Sequence, residues 1–360
     1  MKPIVPKKRP LVSSAIMRST QSRAGGGRGR AALVRRARES IEKGSYSFSA
    51  ASRLFDKDTR ERSWLLYAWC RRCDDIADGQ DHGGDLNLAK SGAVDRVEAL
   101  RVLTGRALEG QPTADIAFDA LGQVAAECGI REELTDDVID GFALDANGWI
   151  PRTEEDLMRY CYHVAGAVGV MMARVMGVPA DDTDTLDRAC DLGFAFQLAN
   201  IARDISEDDA VGRCYVPQQW LARADIEPGQ HMKPHNRFKL SALSARMIDM
   251  MDEYLDAARL GAARLRFRQR WAVLSAARIY GAIGHKVRDR GQNAWNSRTR
   301  TNALEKGWHM LAALGEAIVN RPYRPEKMPE WSRGRVLIKI RMDGRVAPMP
   351  MTPLREDEAE

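Results

Sequence analysis

Apolar residues return along this chain of 360 residues every three or four positions, over long stretches separated by Gly, Pro and Asn-Gly breaks. That period marks helices with one buried face, whereas strict alternation, the mark of half-buried strands, is scarce. The pattern predicts helices near 32–43, 47–57, 58–79, 89–109, 113–128, 132–146, 153–177, 182–208, 216–223, 238–266, 269–290 and 301–320. The run 335–342 before Asp343-Gly344 reads as a small hairpin or an ordering tail. None of the breaks is a linker, so 39–330 is expected to fold as one all-α unit, followed by a tail over 331–360. One large helical bundle can bury a sizeable core at this length.

Charge changes the picture at the N-terminus. The formal net charge is +5, yet residues 1–38 hold eleven of the 55 Lys and Arg and none of the 50 Asp and Glu. The remainder carries 44 basic against 50 acidic residues, a mildly acidic body that argues against a nucleic-acid partner. Segment 1–38, ending in Ala24-Gly25-Gly26-Gly27-Arg28-Gly29-Arg30, has too little apolar surface to offset the entropy of ordering, and is expected to be a disordered leader. An organelle transit peptide and a cationic tail for anionic lipid fit the same composition.

No run of eighteen apolar residues is present, so a bilayer-spanning helix is not expected. Cys70-x-x-Cys73 lacks the second pair a zinc site needs, and Pro234 inside His231-x3-His235 spoils a helical ligand pair, so both read as packing or surface residues.

Two constellations carry candidate chemistry. In Tyr67-x3-Arg71-x2-Asp74-Asp75-x2-Asp78, the helical period sets Tyr67, Arg71, Asp74 and Asp78 on one stripe. Carboxylates one turn apart suit a hard cation that keeps coordination positions for water and phosphate; taken alone, they equally suit a solvated helix end. Gln197-x2-Asn200-x3-Asp204-x3-Asp208 repeats oxygen donors every four residues beside apolar Ile201, Ala202 and Ile205. Asn and Asp are poor interior helix formers, so a plain amphipathic helix would not select them there. Acids gathered from two such helices repel one another unless cations intervene. Arg71, Arg203 and Arg213 flank them and suit forked contact with phosphate oxygens. Ser45 and Ser47 stand before a helix start, as N-caps or anion donors. The Gly- and Ala-rich run from Tyr160 through Gly166 and Gly169 to Met172 reads either as the wall of an isoprenoid channel or as close helix packing.

Ser45–Phe48, Tyr67–Asp75, Tyr160–Gly169, Gln197–Asp208 and Gly212–Pro217 stand in the order and wording of the squalene/phytoene synthase family, which the chain resembles over roughly 39–310, nearest to the bacterial-type phytoene synthases. The resemblance implies the isoprenoid-synthase helical bundle around a central cavity. It implies a metal set of Asp74, Asp78, Asn200, Asp204 and Asp208, and active-site roles for Tyr67, Arg71, Tyr160, Gln197, Arg203, Arg213 and Tyr215. Ser45, Ser47, Phe48, Arg71, Gln197, Asn200, Arg213 and Tyr280 would bind substrate. Tyr46 and Gly79 depart from the usual residues, the first beside a diphosphate contact and the second outside the metal stripe.

The implied reaction joins two geranylgeranyl diphosphates to phytoene with Mg2+, or Mn2+ in its place, and no NADPH. The resemblance also implies a cytoplasmic enzyme peripherally attached to a membrane surface and in contact with upstream and downstream carotenoid enzymes. Squalene and dehydrosqualene synthases on shorter substrates, a terpene cyclase and a non-catalytic assembly factor are the alternatives.

Overall fold

Side-chain caps fix many of the helix starts. Asp56 accepts from the Thr59 N–H at 3.0 Å, Asp182 from Thr185 N–H at 3.1 Å, and Thr153 with Asp156 and Asn302 with Glu305 form reciprocal capping boxes. Each satisfies donors that the first helical turn leaves without a partner. The structure, a computed structural model, describes residues 23–44, 49, 51–79, 92–321 and 323–344.

The helices are α1 (Arg30–Gly44), α2 (Lys57–Ala77), α3 (Ala93–Leu108), α4 (Ile116–Cys128), α5 (Glu132–Ala146), α6 (Glu154–Cys161), α7 (Ala167–Val175), α8 (Thr183–Ala210), α9 (Gln218–Arg223), α10 (Arg237–Ala262), α11 (Phe267–Arg290), α12 (Ala303–Val319) and α13 (Arg333–Asp343). No strand occurs among the described residues, so the all-α expectation holds. Long α8 runs through the middle, packed most extensively on α10 and also on α7 and α11. Trp69, Phe118, Tyr162, Phe194, Trp220 and Tyr254 fill the core at no more than 1% exposure. Burying such rings supplies most of the packing energy of a bundle.

Three expectations need correction. The first is the disordered leader, because from Arg23 onward segment 1–38 belongs to the bundle. Leu33 and Ala37 of α1 are buried, Arg28 Nε reaches Asp119 at 2.6 Å, and Arg30 reaches Glu61 at 2.5 Å and Glu127 at 2.6 Å. Burial alone would raise Glu127, but hydrogen bonds from Arg30, Arg62 and Gln123 hold it at about 2. The basic residues that made the segment read as a tail are partners for acids on α2 and α4; residues 1–22 lie outside the described residues.

The second is the tail at 331–360. Residues 335–342 are neither hairpin nor tail but part of α13, capped by Ser332. Val336 and Ile340 are buried, and the Trp331 carbonyl accepts from Tyr254 Oη at 2.8 Å. Four residues apart, those two apolar side chains share one helical face, a spacing too sparse to declare itself in sequence.

The third is the single helix over 153–177, which is divided by a π-helical turn at Tyr162–Gly166. The turn directs Tyr162 and His163 onto α5, where Tyr162 Oη donates to Asp137 at 2.6 Å and His163 Nδ1 lies 2.7 Å from the Asp137 carbonyl. Such turns are common beside functional sites.

Candidate active site

The walls of the central cavity come from α2, from the segment spanning the π-helical turn and α7, and from α8, α10 and α11; its volume is about 420 Å³. Val164, Ala165, Val168, Gly169, Met172, Leu192 and Phe196 give it an apolar lining, and Tyr67, Gln197, Asn200 and Tyr280 bring polar atoms into it. The Gly- and Ala-rich run both lines this cavity and packs closely on α8. A Cβ on Gly169 would stand 2.4 Å from the Ala189 carbonyl oxygen, and one on Gly193 would stand 2.4 Å from that of Ala165. The missing side chains let the two helices close up, and the same close approach shapes the channel wall.

From this cavity the acid stripes continue along their helices: Asp74 and Asp78 lie about two and three turns beyond Tyr67 on α2, and Asp204 and Asp208 about one and two turns beyond Asn200 on α8. Electrostatics shows that they reach a common pole. Burial first, then Asp78, raises Asp74, which also feels Asp145. Burial and Asp204 push Asp208 up to about 7, against the lowering effect of Arg213 and with Asp145 adding to the rise. Arg71 pairs with Asp74 at 3.0 Å and Asp75 at 2.7 Å, and Arg213 lies 3.6 Å from Asp78. Arg203 Nε donates to Asp204 at 2.7 Å.

Two residues at this pole were not read from the sequence. Arg298 donates to Asp204 at 3.0 Å from the loop before α12. Asp145, near the end of α5, accepts from Tyr160 Oη at 3.1 Å and from Tyr215 Oη at 2.8 Å. Tyr160 stacks on Tyr215 at 4.6 Å and on Trp149 at 6.0 Å. Burial raises Asp145, opposed by the Tyr215 hydrogen bond and by Arg213, while burial followed by the Asp145 charge lifts Tyr160 well above the usual phenol range. The chain returns over the pole because Gly212, at φ 73°, takes the left-handed conformation after α8, so that Arg213 N–H closes onto the Asp208 carbonyl at 2.8 Å. Ser45, Tyr46, Ser47 and Phe48 lie outside the described residues.

The donor chemistry of the pole, carboxylates and one amide, fits a hard divalent cation, and the raised acids show the charge such an ion would relieve. The stripes do not bring three carboxylate ligand atoms within 4.8 Å of one another among the described residues. Among the described residues, the trio of acid and imidazole ligand atoms lying within 4.8 Å of one another is Asp137, Asp140 and His163. That trio is buried elsewhere and engaged internally: Asp140 pairs with Arg101 at 2.5 Å and Asp137 with Tyr162. The pole thus gathers acids from two helices with arginines among them, an arrangement that suits a polyanion such as diphosphate together with cations. Cys70 lines the cavity and Cys73 lies in the core, while His231 is buried 3.3 Å from Asp209.

The family model described as squalene/phytoene synthase matches residues 41–305. A phytoene synthase of Pseudescherichia vulneris is 43% identical over 84% of this chain and 98% of its own length. A 15-cis-phytoene synthase of Pantoea ananas is 42% identical over 84% and 98%. Among solved structures, a dehydrosqualene synthase in complex with ligand superposes with a TM-score of 0.70 at 24% identity, over 81% of this chain and 98% of that one. Squalene synthase HpnC from Alicyclobacillus acidocaldarius gives 0.64 at 24% identity, over 74% and 98%. At that identity the two structures establish the fold alone.

Proposed function

The chain belongs to the squalene/phytoene synthase family, and from that premise we propose that it is a phytoene synthase, condensing two geranylgeranyl diphosphates head to head through a cyclopropyl diphosphate to phytoene and two diphosphates. The observation that carries this reading is the union of a two-sided acid and arginine pole with an apolar cavity on the same two helices. The bacterial relatives named phytoene synthase favour the twenty-carbon substrate over the fifteen-carbon one.

Asp74 and Asp78 on one side, and Asn200, Asp204 and Asp208 on the other, would hold Mg2+. When bound, the metal neutralises diphosphate charge and so assists its departure. Arg71, Arg203 and Arg213 stand among these acids and are placed to take phosphate oxygens as they bind, where forked donors complement the leaving charge. The allylic cation left by the first substrate is attacked by the C2–C3 double bond of the second, and proton loss closes the cyclopropane. The cyclopropyl diphosphate then ionises, rearranges and loses a second proton, with no reductant consumed. Val164, Val168, Met172, Leu192 and Phe196 exclude water from these cations. Tyr160 and Tyr215, stacked on one another and both donating to Asp145, hold that carboxylate and their phenol oxygens at the pole.

Purified protein incubated with geranylgeranyl diphosphate and Mg2+ should release phytoene, identified by chromatography and mass, and NADPH should leave the product unchanged. Preferential turnover of farnesyl diphosphate, or a reduced hydrocarbon with NADPH, would overturn the reading. Asp78→Asn and Asp204→Asn should each lower turnover by about a hundredfold or more while the fold persists; near-normal rates in both would remove the acids from the metal set.

A further inference from the structure

Helix α12 is built inside out. Its inward face is made of small or flexible residues, with Ala313 and Ala317 fully buried and Met310 packed against the layer formed by Phe55, Ala272, Met172 and Met176. Those last four line the central cavity, so α12 backs the channel wall. The large apolar residues point outward instead: Leu304 is 87% exposed, Trp308 67%, Leu311 59%, Ile318 66% and Val319 57%. At the helical period these five, with Gly315, fall within an arc of about 100°, free of any charged residue. A surface helix ordinarily shows the reverse arrangement, and soluble monomers seldom expose a continuous apolar stripe of this kind.

Charge around the stripe points to what covers it. The two carboxylates of α12 are neutralised within the fold, Glu305 by Lys286 at 2.6 Å and Glu316 by Arg259 at 3.1 Å and Arg278 at 2.8 Å. Arg300 before the helix and Arg321 and Arg324 after it are exposed and make no ion pair among the described residues. The result is an apolar face with cations at both ends and no net negative charge along it, the composition that lies in the plane of an anionic bilayer. No described helix is long and apolar enough to cross a membrane, so contact would be made from one side.

We infer that α12 is the membrane-docking element, resting its Leu304, Trp308, Leu311, Ile318, Val319 face in the headgroup layer of an anionic bilayer with Arg300, Arg321 and Arg324 on the phosphates. This deepens the proposed function, on which it rests for its purpose: a geranylgeranyl chain arriving from lipid and a hydrocarbon leaving toward it meet the protein on the side where α12 backs the channel.

The test reads vesicle binding, which does not depend on which substrate is turned over. Full-length protein is co-sedimented with vesicles of equal parts phosphatidylglycerol and phosphatidylcholine, and with vesicles of phosphatidylcholine alone. Wild type should bind the anionic vesicles at low salt. Trp308→Glu/Leu311→Glu should weaken that binding by about tenfold or more, and Arg321→Gln/Arg324→Gln by about tenfold at low salt, a difference that closes in high salt. The milder Trp308→Ala, with its far-ultraviolet spectrum and melting temperature beside the wild type's, separates lost docking from lost folding. Wild-type protein that stays in the supernatant, or glutamate variants that bind as wild type does, would overturn the inference. So would glutamate variants that convert a dimer to a monomer in sedimentation velocity while vesicle binding is unchanged, since the face would then belong to a second copy of the chain.

Discussion

Asp145 holds the Tyr160 and Tyr215 hydroxyls at the pole. Acids at four-residue spacing announce Asp204 and Asp208, but Asp145 stands alone near a helix end, and its role arises only when Tyr160 and Tyr215, from two other segments, bring their hydroxyls to it. Asp145→Asn keeps the volume but removes the charge and one acceptor oxygen, so only one phenol keeps its present bond. We expect kcat to fall on the order of a hundredfold, with the melting temperature held or raised because burial disfavours the carboxylate that is lost. Unchanged kcat would show that neither tyrosine needs its anchor. Asp191 was equally silent in the sequence. It is buried on α8, 2.8 Å from Arg188, and burial outweighs that arginine to push it up to about 7. Its folded pKa therefore lies above the unfolded value of about 3.9, so the stability it lends is full below about pH 4 and is lost as pH rises through about 7. Asp191→Asn should accordingly gain on the wild type by about 2 kcal/mol between pH 5 and pH 8 in urea melts; parallel pH profiles for the two proteins would refute this.

At the scale of the element, the helical period placed α2, α5, α8 and α11 close to where they lie, because each alternates large apolar and polar groups along its length and many begin on a capping side chain. It also marked α1 as a helix near 32–43, although the leader reading left that helix outside the folded unit, and it missed α13. α1 is rich in arginine and is tied to the bundle by ion pairs with acids distant in the chain, such as Arg30 with Glu127, while α13, whose Val336-Leu337-Ile338 run resembles a strand, is tied by Arg333 to Asp187 at 2.9 Å. A composition that looks too polar to fold is then completed by its partners. Leu33→Ala in α1 should destabilise the protein by about 2–4 kcal/mol, the usual effect of emptying a fully buried leucine site. A chain lacking 1–38 should melt well below the intact protein. If the truncated and intact chains share one melting temperature, α1 is not part of the cooperative unit.

Across the whole molecule, the acids of α2 and α8 face one pole with like charge. Folding must hold these acids together against their repulsion, which is visible in the raised Asp74 and Asp208. Mg2+ alone can neutralise the acids of either helix, but an anion bound with it can tie α2 to α8 through metal. Ligands that bind the folded state alone stabilise it by mass action, about 2.7 kcal/mol at a hundred times the dissociation constant. For a domain of this size that corresponds to a rise of about 4 °C. EDTA-treated protein should therefore melt a degree or two higher at most with Mg2+ or diphosphate added singly, and by about 4 °C or more with both. Asp78→Asn and Asp204→Asn, one on each side of the pole, should each abolish the joint effect, since a bridge fails when either end is cut. Full stabilisation by Mg2+ alone, or a joint effect that survives both substitutions, would mean that the acids do not meet across the cavity mouth through a shared diphosphate.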